Sequence, residues 1–301
     1  LGNDFEYIGN NGYADKGSHT YNSLNTNYYI GSLTKQFTAA AVMILQEQDK
    51  LSTDDTLDKY YPDYKYGSDI TIRNLLTMTT GLPDYLGKSD ESVRANAPQY
   101  DISEKNSAKD NHSVILKWIL SQEIDNDEKN YSYSNSDYFI LGDIIEKVSG
   151  KSYEEFLKEN IFEPLEMTST TFESTDQLAT GYQDIFDDEW NIYPGVAYSS
   201  TGLISNLSDL LKWTDAITGS ELLSAKSKEE MFTPYKSSFA YGLYVDDCGN
   251  YYCNAAFYRF NARIVFAQDQ SKVFIAFSNY TQSNPKAVNK NLDEILKPYL
   301  K

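Results

Sequence analysis

The chain has 301 residues, 41% of them apolar and 23% charged, enough for one large domain or two moderate ones with a real core. Its net charge of −18 argues against nucleic acid or anionic membrane as a partner, since both need clustered Lys and Arg. No stretch approaches the roughly 18 consecutive apolar residues of a membrane span. The only histidines are His19 and His112, each in a polar segment, so neither a His-based metal site nor a Ser-His-Asp triad is expected. No Gly-rich phosphate loop appears, and no cofactor is expected.

The opening Leu1-Gly2-Asn3-Asp4 does not read as a signal peptide. Residues 5–13 read as strand and turn, and 14–28 as polar loop. The stretch from Tyr29 to Val42 then reads as a tight turn at Gly31 running into a buried helix. Phe37, Ala40, Ala41, Ile44 and Leu45 have helical spacing, and the helix is expected to reach about Lys50. Ser32 and Lys35 lie three residues apart, hence on one face, about one turn apart. A serine hydroxyl needs a neighbouring base to become a nucleophile, and a lysine in an apolar pocket can give up its proton. A helix N-terminus beside Ser32 would also favour developing negative charge. A bare Ser-x-x-Lys is weak, and Ser283-Asn284-Pro285-Lys286 repeats it in a polar segment. What distinguishes Ser32 is the glycine before it and the small-residue helix after it.

Further on, Ile70–Met78 reads as a short helix capped by Thr71 and stopped at Gly81. Residues 84–112 read as a long surface excursion of the kind used for lids and binding loops. Ser113–Leu120 is an expected amphipathic helix, and Asp137–Ser149 another, ended by Gly150. Ser152 and Glu155 form a capping box for a helix to about Phe162. Residues 173–200 read as irregular. Their acidic cluster, Asp184, Asp187, Asp188 and Glu189, lacks the alternation of a calcium loop and reads as a solvated face. Asn206 caps a helix through Ile217, closed by Gly219. From Phe239 onward the runs 240–245, 251–260, 262–267 and 273–278 read as an antiparallel sheet, and 289–300 as a closing helix. Cys248 and Cys253 flank Gly249-Asn250, which reads as a hairpin turn with the thiols facing each other. They are either joined, marking an oxidising compartment, or reduced. The pattern is an α/β (α+β) one. Residues 1–30 and 230–301 form a sheet region, and 31–229 a mainly helical region, with the active site at their interface.

Tyr131-Ser132-Tyr133-Ser134-Asn135-Ser136 precedes the 137–149 helix. A tyrosine near a lysine can act as a base, and an asparagine amide can hold a lysine or a substrate amide. With Ser32 and Lys35 in view, the chain resembles the serine β-lactamase and penicillin-binding protein superfamily. The likeness is to the branch of class C β-lactamases, serine DD-peptidases and related esterases. Ser-x-x-Lys followed by Tyr-Ser-Asn is that branch's pattern. Residues 70–82 are similar to its "iTIrhLLtHtSGL" segment, and Tyr133 through Gly150 to its "YSNxxYxxLGxIIExvSG" run. Phe162-Glu163-Pro164-Leu165-Glu166-Met167 and Thr201-Gly202-Leu203-Ile204-Ser205 continue in order.

The resemblance implies a β-lactamase/transpeptidase-like fold, with an antiparallel sheet flanked by helices beside a mainly helical region. It implies that Ser32 is acylated, Lys35 holds and helps deprotonate it, Tyr133 is general base and proton relay, and Asn135 positions Lys35 and substrate. The backbone N–H groups of Ser32 and Phe257 would form the oxyanion hole, worth about 2–4 kcal/mol per donor. The chain departs from the pattern at the third motif, Lys/His-Thr/Ser/Gly-Gly. Asn254-Ala255-Ala256 stands there as the expected substrate-binding stretch, without cation or hydroxyl, and the following glycine is replaced around Arg259-Phe260; Arg259 and Arg263 are the candidates to substitute for the missing cation. A helix and first strand usual before the segment matching 5–13 are absent from this sequence. The expected function is therefore a serine hydrolase acting through a Ser32 acyl-enzyme on a small-molecule or peptide ester or amide, outside the cytoplasmic membrane. The alternatives are an impaired member of the fold that binds or regulates, or a narrow β-lactamase or DD-carboxypeptidase. The oligomeric state is not readable.

Overall fold

The computed structural model describes residues 7–86, 108–125, 130–183 and 196–281. The 184–189 acidic cluster, the second Ser-x-x-Lys, the 289–300 helix and most of the 84–112 excursion lie outside these. In chain order, β1 (Tyr13–Asp15) and β2 (Thr20–Tyr21) form a hairpin, and β3 (Tyr28–Tyr29) leads into a 3-10 turn, Gly31–Leu33. Then come α1 (Thr34–Glu47), α2 (Ile72–Leu76), α3 (Ala108–Ser121), α4 (Asn135–Ser149) and α5 (Tyr153–Leu157). β4 (Tyr182–Gln183), α6 (Tyr198–Thr201), β5 (Ile204–Ser205), α7 (Leu207–Thr218) and α8 (Ala225–Phe232) follow. The chain continues with β6 (Tyr244–Val245), β7 (Tyr251–Phe257), β8 (Phe260–Phe266), β9 (Val273–Ser278) and β10 (Tyr280–Thr281). Among the described residues no helix is long and apolar enough to cross a membrane.

The caps expected from sequence are formed. Thr71 and Asn74 make a reciprocal capping box on α2, Ser152 and Glu155 another on α5, and Asn206 caps α7 through the Asp209 N–H. Gly150 ends α4 in the left-handed conformation at φ 71°. α1 stops three residues short of Lys50, because Asp49 turns left-handed (φ 54°) and the Lys50 N–H closes onto the Leu45 carbonyl at 3.0 Å. The first strand begins at Tyr13, where the sequence reading ended it. The Asp15 carboxylate accepts from the Gly17 and Ser18 N–H groups, and this tight turn lets Tyr13 pair with Tyr21. α6 falls in the stretch read as irregular. α8 was not expected, since its first six residues, Ala225–Glu230, carry no large apolar side chain; Ser224 caps it.

α1 is buried from Thr34 to Leu45, apolar from Ala39 onward and with Thr34, Lys35, Gln36 and Thr38 buried in its first turns. α4 and α6 pack against α1. Phe37 stacks on Trp213 of α7 with ring centroids 4.0 Å apart. The other wall is the antiparallel sheet β6-β7-β8-β9. Six of the seven β8 residues are buried, marking it as the central strand. Among the described residues, its four strands come from residues 244–278. The N-terminal strands make short pairings of their own: β1 with β2, and β3 with β5. The side chain of Asn279, just past β9, ties them in by donating to the carbonyls of Tyr13, Ala14 and Thr180.

The cysteines are not joined. Tyr244 pairs with Tyr252, and the Asp246 carboxylate accepts from the Cys248 and Asn250 N–H groups. Cys248 therefore sits on the turn, exposed, while Cys253 lies inside β7 with its thiol buried. Burial pushes the Cys253 thiol up to about 12, against the pull of Lys35 and Arg263. We predict that at pH 8 one thiol per native chain reacts with Ellman's reagent and the second only in denaturant. Two fast thiols would contradict the burial of Cys253.

Gly242 abuts α1. It adopts φ +79°, and a Cβ there would lie 2.9 Å from the Gln36 N and the Lys35 carbonyl carbon. Gly242→Ala is expected to destabilise the protein by about 2 kcal/mol or more in urea unfolding, since left-handed strain and a backbone clash act together. A loss within about 0.5 kcal/mol would mean that α1 and this segment move apart freely.

Candidate active site

The 3-10 turn carrying Ser32 lies flat on β7. Gly31 has φ +52°, and a Cβ there would sit 3.1 Å from the Cβ atoms of both Ala255 and Phe257. The Ile30 N–H donates to the Leu203 carbonyl at 3.0 Å, pinning the turn from the other side. Ser32, half-buried, thus lies at the mouth between the sheet and the N-terminus of α1, which favours negative charge.

Lys35, in the first turn of α1, is 1% exposed. A buried ammonium is tolerated only when its hydrogens find acceptors. Three surround it: Ser32 Oγ at 3.2 Å, Asn135 Oδ1 at 2.7 Å and the Ser200 carbonyl at 2.9 Å. The rings of Tyr133 and Tyr138 lie 5.0 and 5.6 Å from Nζ, adding cation–π attraction.

Ser134, itself extended, caps α4 through the Ser136 N–H, with Tyr133 just before it and Asn135 as the first helical residue. This delivers the Tyr133 hydroxyl to 2.8 Å from Ser32 Oγ. Burial pushes the Tyr133 phenol well above its ordinary range, outweighing the hydrogen bond to Ser32 that pulls it down, so the resting side chain is a phenol. The Asn135 amide is turned by Asp84. Nδ2 donates to Asp84 Oδ1 and Oδ2 at 3.1 and 3.0 Å, which leaves Oδ1 for Lys35. The Asn135 and Leu86 N–H groups also donate to Asp84 Oδ1, at 3.2 and 3.0 Å. Burial raises the Asp84 carboxyl, with these bonds and the Lys35 charge opposing it.

The structure therefore brings Ser32, Lys35, Tyr133 and Asn135 into one network. The third motif is placed differently. Along β7 the side chains of Cys253, Ala255 and Phe257 are buried, while Asn254 is half-buried and Ala256 exposed. The buried set faces the Ser32 turn, and Lys35 and Tyr133 both feel the Cys253 thiol. Asn254 instead accepts from Arg263 Nη1 at 2.8 Å, its partner across the ladder. The backbone shifts by one as well. Tyr258 (φ 46°) and Arg259 (φ 70°) form the two-residue turn joining Phe257 to Phe260. Such a turn makes its flanking residues a hydrogen-bonded pair, so the Phe257 N–H is directed at β8. The N–H on the opposite edge belongs to Ala256, not Phe257.

Asp84 and Ser200 are residues the sequence reading missed, and Cys253, read there as a possible disulfide partner, stands beside Lys35 and Tyr133 instead. Asp84 follows directly on the quoted Ile70–Leu82 segment, and that adjacency was the available signal. Ser200 contributes a backbone carbonyl, which leaves no trace in side-chain pattern. A separate grouping, His112, Asp143 and Glu146, places potential metal ligands within 4.8 Å of one another. Asp143 there already accepts from Lys147 at 2.6 Å and Tyr61 at 2.5 Å, and the Glu146 carboxylate accepts from the Tyr153 N–H, so the cluster reads as a structural network.

The Beta-lactamase family model matches residues 3–296. PbpX of Bacillus subtilis (strain 168) is 31% identical over 297 residues, covering 95% of this chain and 70% of that protein. The chain spans only 54% and 34% of the next curated relatives it matches. Among solved structures, the penicillin-binding protein of Bacillus halodurans superposes with a TM-score of 0.80 at 23% identity, over 98% of this chain and 94% of that one. The D-amino acid amidase of Ochrobactrum anthropi SV3 reaches 0.80 at 22%, over 95% and 87%. These two establish the fold, β-lactamase/transpeptidase-like, and the family model together with PbpX establishes the relationship: the chain belongs to the Beta-lactamase family, within the serine β-lactamase and penicillin-binding protein superfamily.

Proposed function

We propose that the chain is a serine hydrolase that acylates Ser32 with a neutral ester or amide. The observation carrying this reading is that Ser32 Oγ lies at once 2.8 Å from the Tyr133 hydroxyl and 3.2 Å from Lys35 Nζ. These are the distances of a nucleophile with a proton acceptor and a fixed cation in reach.

In the proposed reaction Ser32 Oγ attacks the substrate carbonyl carbon. Tyr133 takes the Oγ proton as it hands its own phenolic proton to the leaving nitrogen or oxygen. The raised Tyr133 favours this shuttle over a standing phenolate, because no buried anion has to exist beforehand. Lys35 stays an ammonium and steadies the charge. The N–H groups of Ser32 and Ala256 receive the oxyanion, Ala256 replacing the expected Phe257. Water then hydrolyses the acyl-enzyme by the reverse relay.

Substrate neutrality is proposed from the β7 wall. Cys253 stands on the face turned to the site, with Ala255 and Phe257 beside it, and burial keeps its thiol uncharged. A carboxylate-bearing ligand finds no cation on that strand face. The similarity in fold to an amidase agrees with an amide as one substrate class. With both cysteines free, the extracytoplasmic location rests on the family relationship alone.

Intact mass after treatment with a fluorophosphonate is expected to show one adduct, formed by displacement of fluoride and absent in Ser32→Ala. Absence of the adduct from the wild-type chain would overturn the hydrolase reading and leave a binding member of the fold. Tyr133→Phe and Lys35→Ala are each expected to slow labelling by about 100-fold or more. Benzylpenicillin, which carries a carboxylate, is expected to give no adduct over the same interval. A Ser32-dependent penicilloyl adduct would overturn the proposal of a neutral substrate and return the β-lactamase or carboxypeptidase reading.

A further inference from the structure

Resting on the hydrolase reading, we propose that Asp84 is a positioning residue: its carboxylate fixes the Asn135 amide with Oδ1 toward Lys35 and supplies the counter-charge that keeps Lys35 an ammonium.

An asparagine amide can present either end. Here the choice is forced, because a carboxylate accepts and does not donate. Both Asp84 oxygens are engaged by Asn135 Nδ2, at 3.1 and 3.0 Å. The Asn135 and Leu86 N–H groups hold the same carboxylate in place. Turned the other way, Asn135 would point Nδ2 at Lys35 Nζ, donor against donor, and the 2.7 Å bond would be lost. The consequence reaches the nucleophile, since the same Nζ donates to Ser32 Oγ.

Charge points the same way. Among the described residues, Lys35 from α1, Tyr133 from the segment before α4 and Asp137 from α4 face Asp84. Asp137 is buried, accepts from the Thr80 hydroxyl at 2.6 Å, and burial raises its carboxyl well above the usual carboxylate range. Lys35 pulls the Asp84 carboxyl down against its own burial, which places the two as charge partners.

The test compares wild type with Asp84→Asn, which keeps the shape and removes the charge. Two readouts are taken on the full chain. One is the NMR titration of the Lys35 Cε signal in 13C-lysine-labelled protein, assigned with Lys35→Arg. The other is the rate of Ser32 labelling by a fluorophosphonate. The expected result is a Lys35 titration displaced to lower pH together with labelling slowed at least about tenfold. An unchanged titration and rate would overturn the proposal. So would slower labelling with an unmoved titration, which reduces Asp84 to packing. If Asp84→Asn does not fold, Asp84→Ser is read by the same criteria. Wild-type protein that never labels sinks the hydrolase reading instead, and the titration alone then decides the role of Asp84.

Discussion

A lysine sealed inside the protein is the constraint on which this structure turns. Leaving its amino group without partners would cost several kcal/mol if charged, so the fold must bring hydrogen-bonding groups to it. The three acceptors within hydrogen-bond reach of Lys35 come from three parts of the chain: the 3-10 turn, the start of α4 and the end of α6. None of these is adjacent in sequence to another. Packing α1 against α4 and α6 therefore builds the core and the polar network in one step.

The network is asymmetric. Behind Lys35 it is polar and fully determined, running through Asn135 to Asp84. In front, toward β7, it meets Cys253, Ala255 and Phe257, which offer no charge. A polar network around Ser32 and Lys35 thus meets an apolar strand face.

The β7–β8 turn shows how backbone geometry carries a similar message. Tyr258 and Arg259 both adopt positive φ, conformations in which glycine is unstrained and other residues are not. The turn keeps its two-residue form even so, because the ladder from Tyr251↔Phe266 to Phe257↔Phe260 fixes where the chain must reverse. The strain is held by the register of the strands around it.

Much of this was legible in the linear chain. Ser32 with Lys35, and Tyr133 with Asn135, follow from short-range spacing, which a helix and its cap translate directly into geometry. The capping boxes at Thr71 and Ser152 and the stop at Gly150 are equally local, as are the β-rich runs that mark β7, β8 and β9. What the chain alone did not determine depends on contacts between distant segments. The third motif was read as Asn254-Ala255-Ala256, with Phe257 as oxyanion donor; in the structure Asn254 and Ala256 stand on one face of β7 and Cys253, Ala255 and Phe257 on the other. A strand has a period of two, so a slip of one exchanges the faces, and only pairing with β8 decides which is inward. Cys248 and Cys253 looked like partners across a turn until the pairing of Tyr244 with Tyr252 left one on the tip and the other inside. Asp84 read as the start of a surface loop, because nothing in its neighbours announces the amide it holds 51 residues downstream. Sequence determines what is set within a turn or two of helix. Register, the inward face of a strand and the partner of a buried charge are set by chain segments meeting in three dimensions, and those the tertiary structure decided.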